Sequence, residues 1–173
     1  SDYQMVVGSN GAVGVVDVIG AGSQLLVNGR DPNNAGDLVS LELGRWGRGI
    51  MNILNGAYVS VPYGSGEVQT GYMTVGGAFG EGALTIEGAD SILHIECMLE
   101  IGRDGQGTVR VLNGGQLGVI GIPPDGGYSF IGMRAPGDAY ISGLDSSFSL
   151  AGQLSVGQGD RGGYRGIPYA ALR

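Results

Sequence analysis

Apolar residues along this chain recur in pairs two positions apart, and the pairs recur in threes. Met5/Val7, Val16/Val18 and Leu25/Val27 form the first three, separated by short stretches of Gly, Asn, Ala and Ser. A period of two sets both members of a pair on one face of an extended strand. The set then restarts after a fixed landmark, a glycine that follows an apolar residue. These landmarks are Gly8, Gly44, Gly76, Gly102, Gly132 and Gly157, at spacings of 36, 32, 26, 30 and 25 residues. Before them stand Met5/Val7, Leu41/Leu43, Met73/Val75, Leu99/Ile101 and Leu154/Val156, with a weaker Ser129/Ile131 at Gly132. After a glycine-rich turn comes a second pair: Val16/Val18, Met51/Ile53, Leu84/Ile86, Val109/Val111 and Ala139/Ile141.

Two residues beyond each second pair lies a corner position that alternates between Gly and Asn: Gly20, Asn55, Gly88, Asn113 and Gly143. The Gly type continues to a serine, as in Gly20 to Ser23, Gly88 to Ser91 and Gly143 to Ser146. The Asn type continues as Asn55-Gly56 and Asn113-Gly114. A third pair follows in each unit, namely Leu25/Val27, Val59/Val61, Leu93/Ile95, Leu117/Val119 and Phe148/Leu150. Gly and Asn adopt positive φ cheaply, and Ser closes turns through its hydroxyl, so these are structural corner residues. Three short strands per unit, joined by such corners, describe one coil of a solenoid. One coil cannot bury its inward side chains alone, whereas coils stacked about 4.8 Å apart pair every strand with its counterparts. The expected fold is therefore an all-β parallel β-solenoid, a right-handed β-helix by the usual handedness of parallel crossovers. It has about five coils of two alternating types, with residues 1–173 forming one solenoid segment. Glycine recurs too often for any long helix.

The departures from the repeat fall at one corner. Arg30 to Val39 is an insertion, and Pro62 to Glu67 and Ile122 to Tyr128 occupy the equivalent place in the Asn-type coils. The tail from Gly157 begins a coil without completing its pairs, and the head reads as the last strand of a preceding coil. The chain is thus expected to be part of a longer array, or to meet another copy end to end.

The passage GADSILHIECMLEIGRDGQGTVRVLNGGQLGV, Gly88 to Val119, resembles the Gly-rich passenger repeats of autotransporter-like and other surface-anchored bacterial proteins. Comparable motifs recur from Val7 to about Gly157. The resemblance implies a secreted or cell-surface β-helix acting as a stalk, adhesin or matrix component, extracellular in location.

Composition narrows the chemistry. Glycine supplies 37 of 173 residues, yet 42% of the chain is hydrophobic and only 14% charged, which is core-forming rather than disordered material. A net charge of −7 without a single lysine disfavours nucleic acid and anionic membranes as partners. No apolar run is long enough for membrane insertion. One histidine, His94, leaves Ser-His-Asp and His-based metal sites poorly supplied, and it is expected to point outward from a strand. Cys97 reads as a small buried hydrophobe. Gly102 to Gly107 superficially suggests a phosphate loop, but no Lys-Ser/Thr follows and no helix begins there. Asp90, Asp104 and Asp145 sit at corners without the nonapeptide period of calcium-binding solenoids. No cofactor is expected, with Ca²⁺ the weaker alternative.

Two outward Glu–Arg pairs align across coils, Glu42 with Arg45 and Glu100 with Arg103. Lying two coils apart, they are expected to form an exposed row of weak contacts rather than a catalytic carboxylate pair. Trp46, Tyr58, Tyr63 and Tyr128 are candidate surface-recognition residues for a glycan or a protein, with Tyr72 and Tyr140 at comparable outward positions. The expected function is a non-catalytic extracellular structural or adhesive module. The alternative is a carbohydrate-binding or polysaccharide-degrading β-helix.

Overall fold

In the computed structural model, residues 3–27, 39–62, 71–121, 128–157 and 170–172 are described. The first coil comprises β1 (Tyr3–Ser9), β2 (Val13–Ile19) and β3 (Gln24–Leu26). The second comprises β4 (Val39–Arg45), β5 (Arg48–Leu54) and β6 (Tyr58–Val61), and the third β7 (Gly71–Val75), β8 (Glu81–Glu87) and β9 (Ile92–Ile95). The fourth holds β10 (Met98–Ile101), β11 (Gln106–Leu112) and β12 (Gln116–Ile120). The fifth holds β13 (Tyr128–Ile131), β14 (Gly137–Ser142) and β15 (Ser147–Ala151), after which come β16 (Gln153–Val156) and β17 (Ala170–Leu172). The chain is all-β, with no helix among the described residues.

Every third strand joins the same sheet. Sheet I runs β1-β4-β7-β10-β13-β16, sheet II runs β2-β5-β8-β11-β14-β17, and sheet III runs β3-β6-β9-β12-β15. All pairings between these strands are parallel, which makes the fold a parallel β-helix of about five coils. The apolar pairs stack in register. In sheet II, Val16 pairs with Met51, Met51 with Leu84, Leu84 with Val109 and Val109 with Ala139. In sheet III, Val59 meets Leu93 and Leu93 meets Leu117, while in sheet I Leu41 meets Met73 and Met73 meets Leu99. A slip of one residue would turn every such pair outward, so the pairs fix the register.

The core is a column of these side chains. Leu41, Leu43, Met51, Ile53, Met73, Ile86, Leu93, Ile95 and Leu117 are fully buried. Each such side chain contributes about 1.5–3 kcal/mol relative to exposure. Inward residues of the outer coils, including Met5, Val16, Leu25, Phe148, Leu150 and Leu154, are only partly buried. Their strands have neighbours on fewer sides, as nearest-neighbour stacking requires. Val156, expected inward, is exposed on β16, an outermost strand of sheet I. The weakened Ser129 position is buried nonetheless, and its hydroxyl accepts the Leu99 N–H at 3.2 Å.

The tail departs from expectation. Ala170 to Leu172 pairs with Gly137 to Ala139 and adds a sixth strand to sheet II. Its spacing from Gly157, 13 residues against 5 from Gly132 to Gly137, hides the match in the sequence. The corner segments 30–38, 63–67 and 122–127, and with them Tyr63, lie outside the described residues.

The bend from sheet I to sheet II is glycine-lined, which the sequence reading merged into one undifferentiated turn. Gly14, Gly49, Gly82, Gly107 and Gly137 pair in register as a five-rung ladder. A Cβ at Gly82 would overlap the backbone nitrogen of Gly76, itself at φ 81°, so both positions exclude a side chain. The signal was present: each ladder glycine stands two residues before the second apolar pair.

Candidate functional site

The Gly/Asn corners between sheets II and III form a hydrogen-bonded seam. Asn55 and Asn113 lie at φ 57° and 49°, and Gly20, Gly88 and Gly143 at about 95°. In the Gly-type corners, the Ser23, Ser91 and Ser146 hydroxyls each donate to a carbonyl four residues back, at 2.7 Å. Ser91 Oγ also accepts the Gly56 N–H of the preceding coil, and Ser146 Oγ accepts the Gly114 N–H, both at 3.0 Å. The two corner types are thus complementary: the serine of one satisfies the free amide of the other. Asn113 Nδ2 adds a bond to Glu87 Oε1 at 2.9 Å. Asp90 and Asp145 take positive φ in this seam, a role that short polar side chains fill readily.

The Glu–Arg row on sheet I is a correction to the expected exposed surface. Glu42, Thr74 and Glu100 occupy one outward row across β4, β7 and β10. Glu42 is 6% and Glu100 4% exposed, with Thr74 and Ser40 equally buried, so β4 and β7 are buried on both faces. The Thr74 hydroxyl donates to Glu100 Oε2 at 3.0 Å, and Arg103 Nη1 reaches the same oxygen at 3.2 Å. Arg45 Nε donates to Glu42 Oε2 at 2.6 Å, while its Nη1 donates to Gln4 on β1. Glu42's carboxylate lies over Gly77, where any Cβ would overlap it. Arg134 closes on Asp104 at 2.9 Å, extending the network to the next coil. Burial pushes the Glu100 carboxyl above its ordinary range, opposed by the Arg103 guanidinium and the Thr74 hydrogen bond. The two Glu–Arg pairs are charge-assisted bonds within a coil, and Thr74–Glu100, Arg45–Gln4 and Arg134–Asp104 link them to neighbouring coils, so they are not isolated surface pairs.

Among the described residues, the candidate recognition aromatics do not form one platform. Tyr58 is half-buried on sheet III, Tyr72 and Tyr128 belong to sheet I, and Tyr140 belongs to sheet II. Trp46 does find a partner, but it is Phe79, with ring centroids 5.3 Å apart and planes tilted by 48°. Phe79 escaped the sequence reading because Ala78 is one extra residue in that turn, which shifts it out of alignment with Trp46. The two rings stand on adjacent rungs of the bend between sheets I and II, 55% and 66% exposed.

Two residues beyond each ring, Arg48 and Glu81 pair across β5 and β8 at 3.4 Å. They line an open groove of about 190 Å³ on the outer face of sheet II, together with Thr85, Gln106, Thr108 and Arg110. A second hollow continues it past Thr108 and Arg110 to Asp138 and Tyr140.

His94 is half-buried beside Glu96, at 3.9 Å. Cys97 is half-buried, and burial pushes its thiol pKa up, the reverse of an activated thiolate. Among the described residues, no three His, Cys, Asp or Glu side chains are grouped to hold a metal ion. Fold and surface together define the class, a parallel β-solenoid with one polar seam, one buried carboxylate row and one exposed aromatic edge. Compared with protein-family models, curated proteins and solved structures, the chain matches none.

Proposed function

We propose that the chain is a non-catalytic structural or adhesive β-helix module of a bacterial extracellular or cell-surface protein. It serves as a stalk, adhesin or filament component, and stacks end to end on neighbouring coils or further copies. The observation that carries this reading is the use made of the polar groups. Ser91 and Ser146 bridge corners of successive coils, and the Thr74 hydroxyl ties its coil to Glu100 of the next, which Arg103 of that same coil also holds. Chemistry directed at stacking suits a protein whose task is to keep a shape. The repeat motifs that resemble passenger domains add the extracellular setting.

A second reading, a polysaccharide-degrading β-helix, is favoured by Glu42 and Glu100 flanking Thr74 with the Glu100 carboxyl held protonated more readily than usual. Incubation with a broad polysaccharide panel, read as new reducing ends, separates the two. The structural reading expects no release. Release that disappears in Glu100→Gln would overturn it. Light scattering over a concentration series tests the stacking, with growth in mass expected and a monomer throughout counting against it.

A further inference from the structure

We infer that the Trp46–Phe79 edge and the adjoining groove on sheet II form a binding surface for an uncharged oligosaccharide. The first ground is residue choice at a strained backbone: the inter-coil hydrogen bonds of this bend use the left-handed conformation but call for no aromatic side chain. Trp46 and Phe79 sit at φ 58° and 63°, a region that bulky residues enter at a cost and that Gly or Asn enter freely. The first coil indeed places Asn10 in this bend, at φ 53°. Burial does not compensate the aromatics, since both rings face solvent. Strain held at an exposed position points to a role outside the fold.

The second ground is preorganisation. The Trp46 N–H donates to the Ala78 carbonyl at 3.2 Å and the Phe79 N–H to the Asp104 carbonyl at 3.2 Å, so the backbone carrying each ring is anchored to the rung beyond it, and the rings pack on each other at 5.3 Å. The paired rings, tilted by 48° to each other, offer an exposed apolar surface about two rungs long, on which the C–H faces of sugar rings can stack.

The third ground is the groove. Arg48, Glu81, Thr85, Gln106, Thr108 and Arg110 offer donors and acceptors to sugar hydroxyls in a shallow open trough. Arg48 and Arg110 balance Glu81 and Asp138 along the trough and its continuation, which suits an uncharged glycan. This binding is separate from the stacking role proposed above, because no residue in the trough contributes to the Ser or Glu–Thr contacts between coils.

Trp46 is the sole tryptophan, so its emission reports on the edge directly. The intact chain is titrated with cellohexaose, xylohexaose, laminarihexaose and maltohexaose, and with hexagalacturonate as the acidic counterpart. A saturable emission shift with at least one neutral sugar is expected, together with a weaker or absent response to hexagalacturonate. Phe79→Gly places a residue suited to the backbone there, so its thermal midpoint should not fall while affinity drops roughly tenfold or more. Arg110→Ala should weaken binding several-fold with the fold intact. A flat titration with all neutral sugars at their solubility limits overturns the inference, as does binding of hexagalacturonate alone. So does a Phe79→Gly variant that keeps its affinity, or one whose midpoint falls sharply, which would make the ring a structural element.

Discussion

Two outward rows cross the same coils at the same spacing and meet opposite surroundings. On sheet I the row Glu42, Thr74, Glu100 is buried, and its polar atoms bond to one another and to Arg45 and Arg103. On sheet II the row Asn52, Thr85, Arg110, Tyr140 borders open hollows from Thr85 onward, with Arg110 and Tyr140 exposed. Both rows alternate with the same apolar column and contain a Thr on the third coil. Alternation therefore assigns a residue to the inside or outside of a coil, but the outside of a coil is not always the outside of the protein. A charged residue outside the column can be a surface group or part of an inter-coil network, and its neighbours decide which.

The bend that divides the two faces gives the largest expected effect. Gly82→Ala forces a Cβ against the Gly76 nitrogen and the Leu43 carbonyl, both backbone and unable to swing aside. We expect a loss of about 3 kcal/mol, the upper end of overpacking costs, seen as a lowered denaturation midpoint. Gly11→Ala is the control: it has positive φ but open space around it, and should cost only about 1 kcal/mol. A loss at Gly82 no larger than at Gly11 would mean that the bend absorbs the added Cβ and that close approach does not dictate glycine there.

The same substitution on each row tests the contrast itself. Thr74→Val keeps the shape but removes one of the two donors to Glu100 Oε2 in a buried setting and leaves Arg103 alone to serve it, at a cost of about 1–3 kcal/mol. Thr85→Val on sheet II is half-exposed beside the groove and should change stability by no more than about 0.5 kcal/mol. Thermal or denaturant midpoints of the two variants, measured together, give the difference. If they match, sheet I's outer face is as solvated as sheet II's.

These contrasts also mark what was legible in the sequence. The pairs Met51/Ile53, Leu84/Ile86 and Val109/Val111 read directly as stacked strands because a strand's period is local and the core repeats it. The alternation of Gly and Asn corners was equally visible, although the reason for it, a serine of one type serving an amide of the other, exists only between coils. The burial of Glu100 was not legible, since a period of two cannot say what covers the outer face. The Trp46–Phe79 pair was lost to a single extra residue, Ala78, which breaks an alignment without breaking the stack. The strand at Ala170–Leu172 was lost to a longer spacing for the same reason.

The smallest and most specific expectation concerns pH. The Glu100 carboxyl titrates above its ordinary value of 4.5 in the folded chain because burial disfavours its charged form. A carboxyl raised on folding binds its proton more tightly in the folded state. Its ionisation therefore subtracts from stability as pH rises from 4.5 through the raised folded value, and the loss is complete above that value. Acidification from neutral pH into that window should return the lost stability at this site, against the usual trend for carboxylates paired in the native state. Glu100→Gln retains an acceptor for Thr74 and carries no charge, so it should remove this component. The variant should then match or exceed the parent at neutral pH and lose its relative advantage near pH 4.5. Melting midpoints of both proteins across that range give the difference curve. A variant that instead gains on the parent as pH falls would show that Arg103 and Thr74 outweigh burial and hold the carboxyl below its ordinary value, which would turn the buried row from a tolerated charge into a net source of stability.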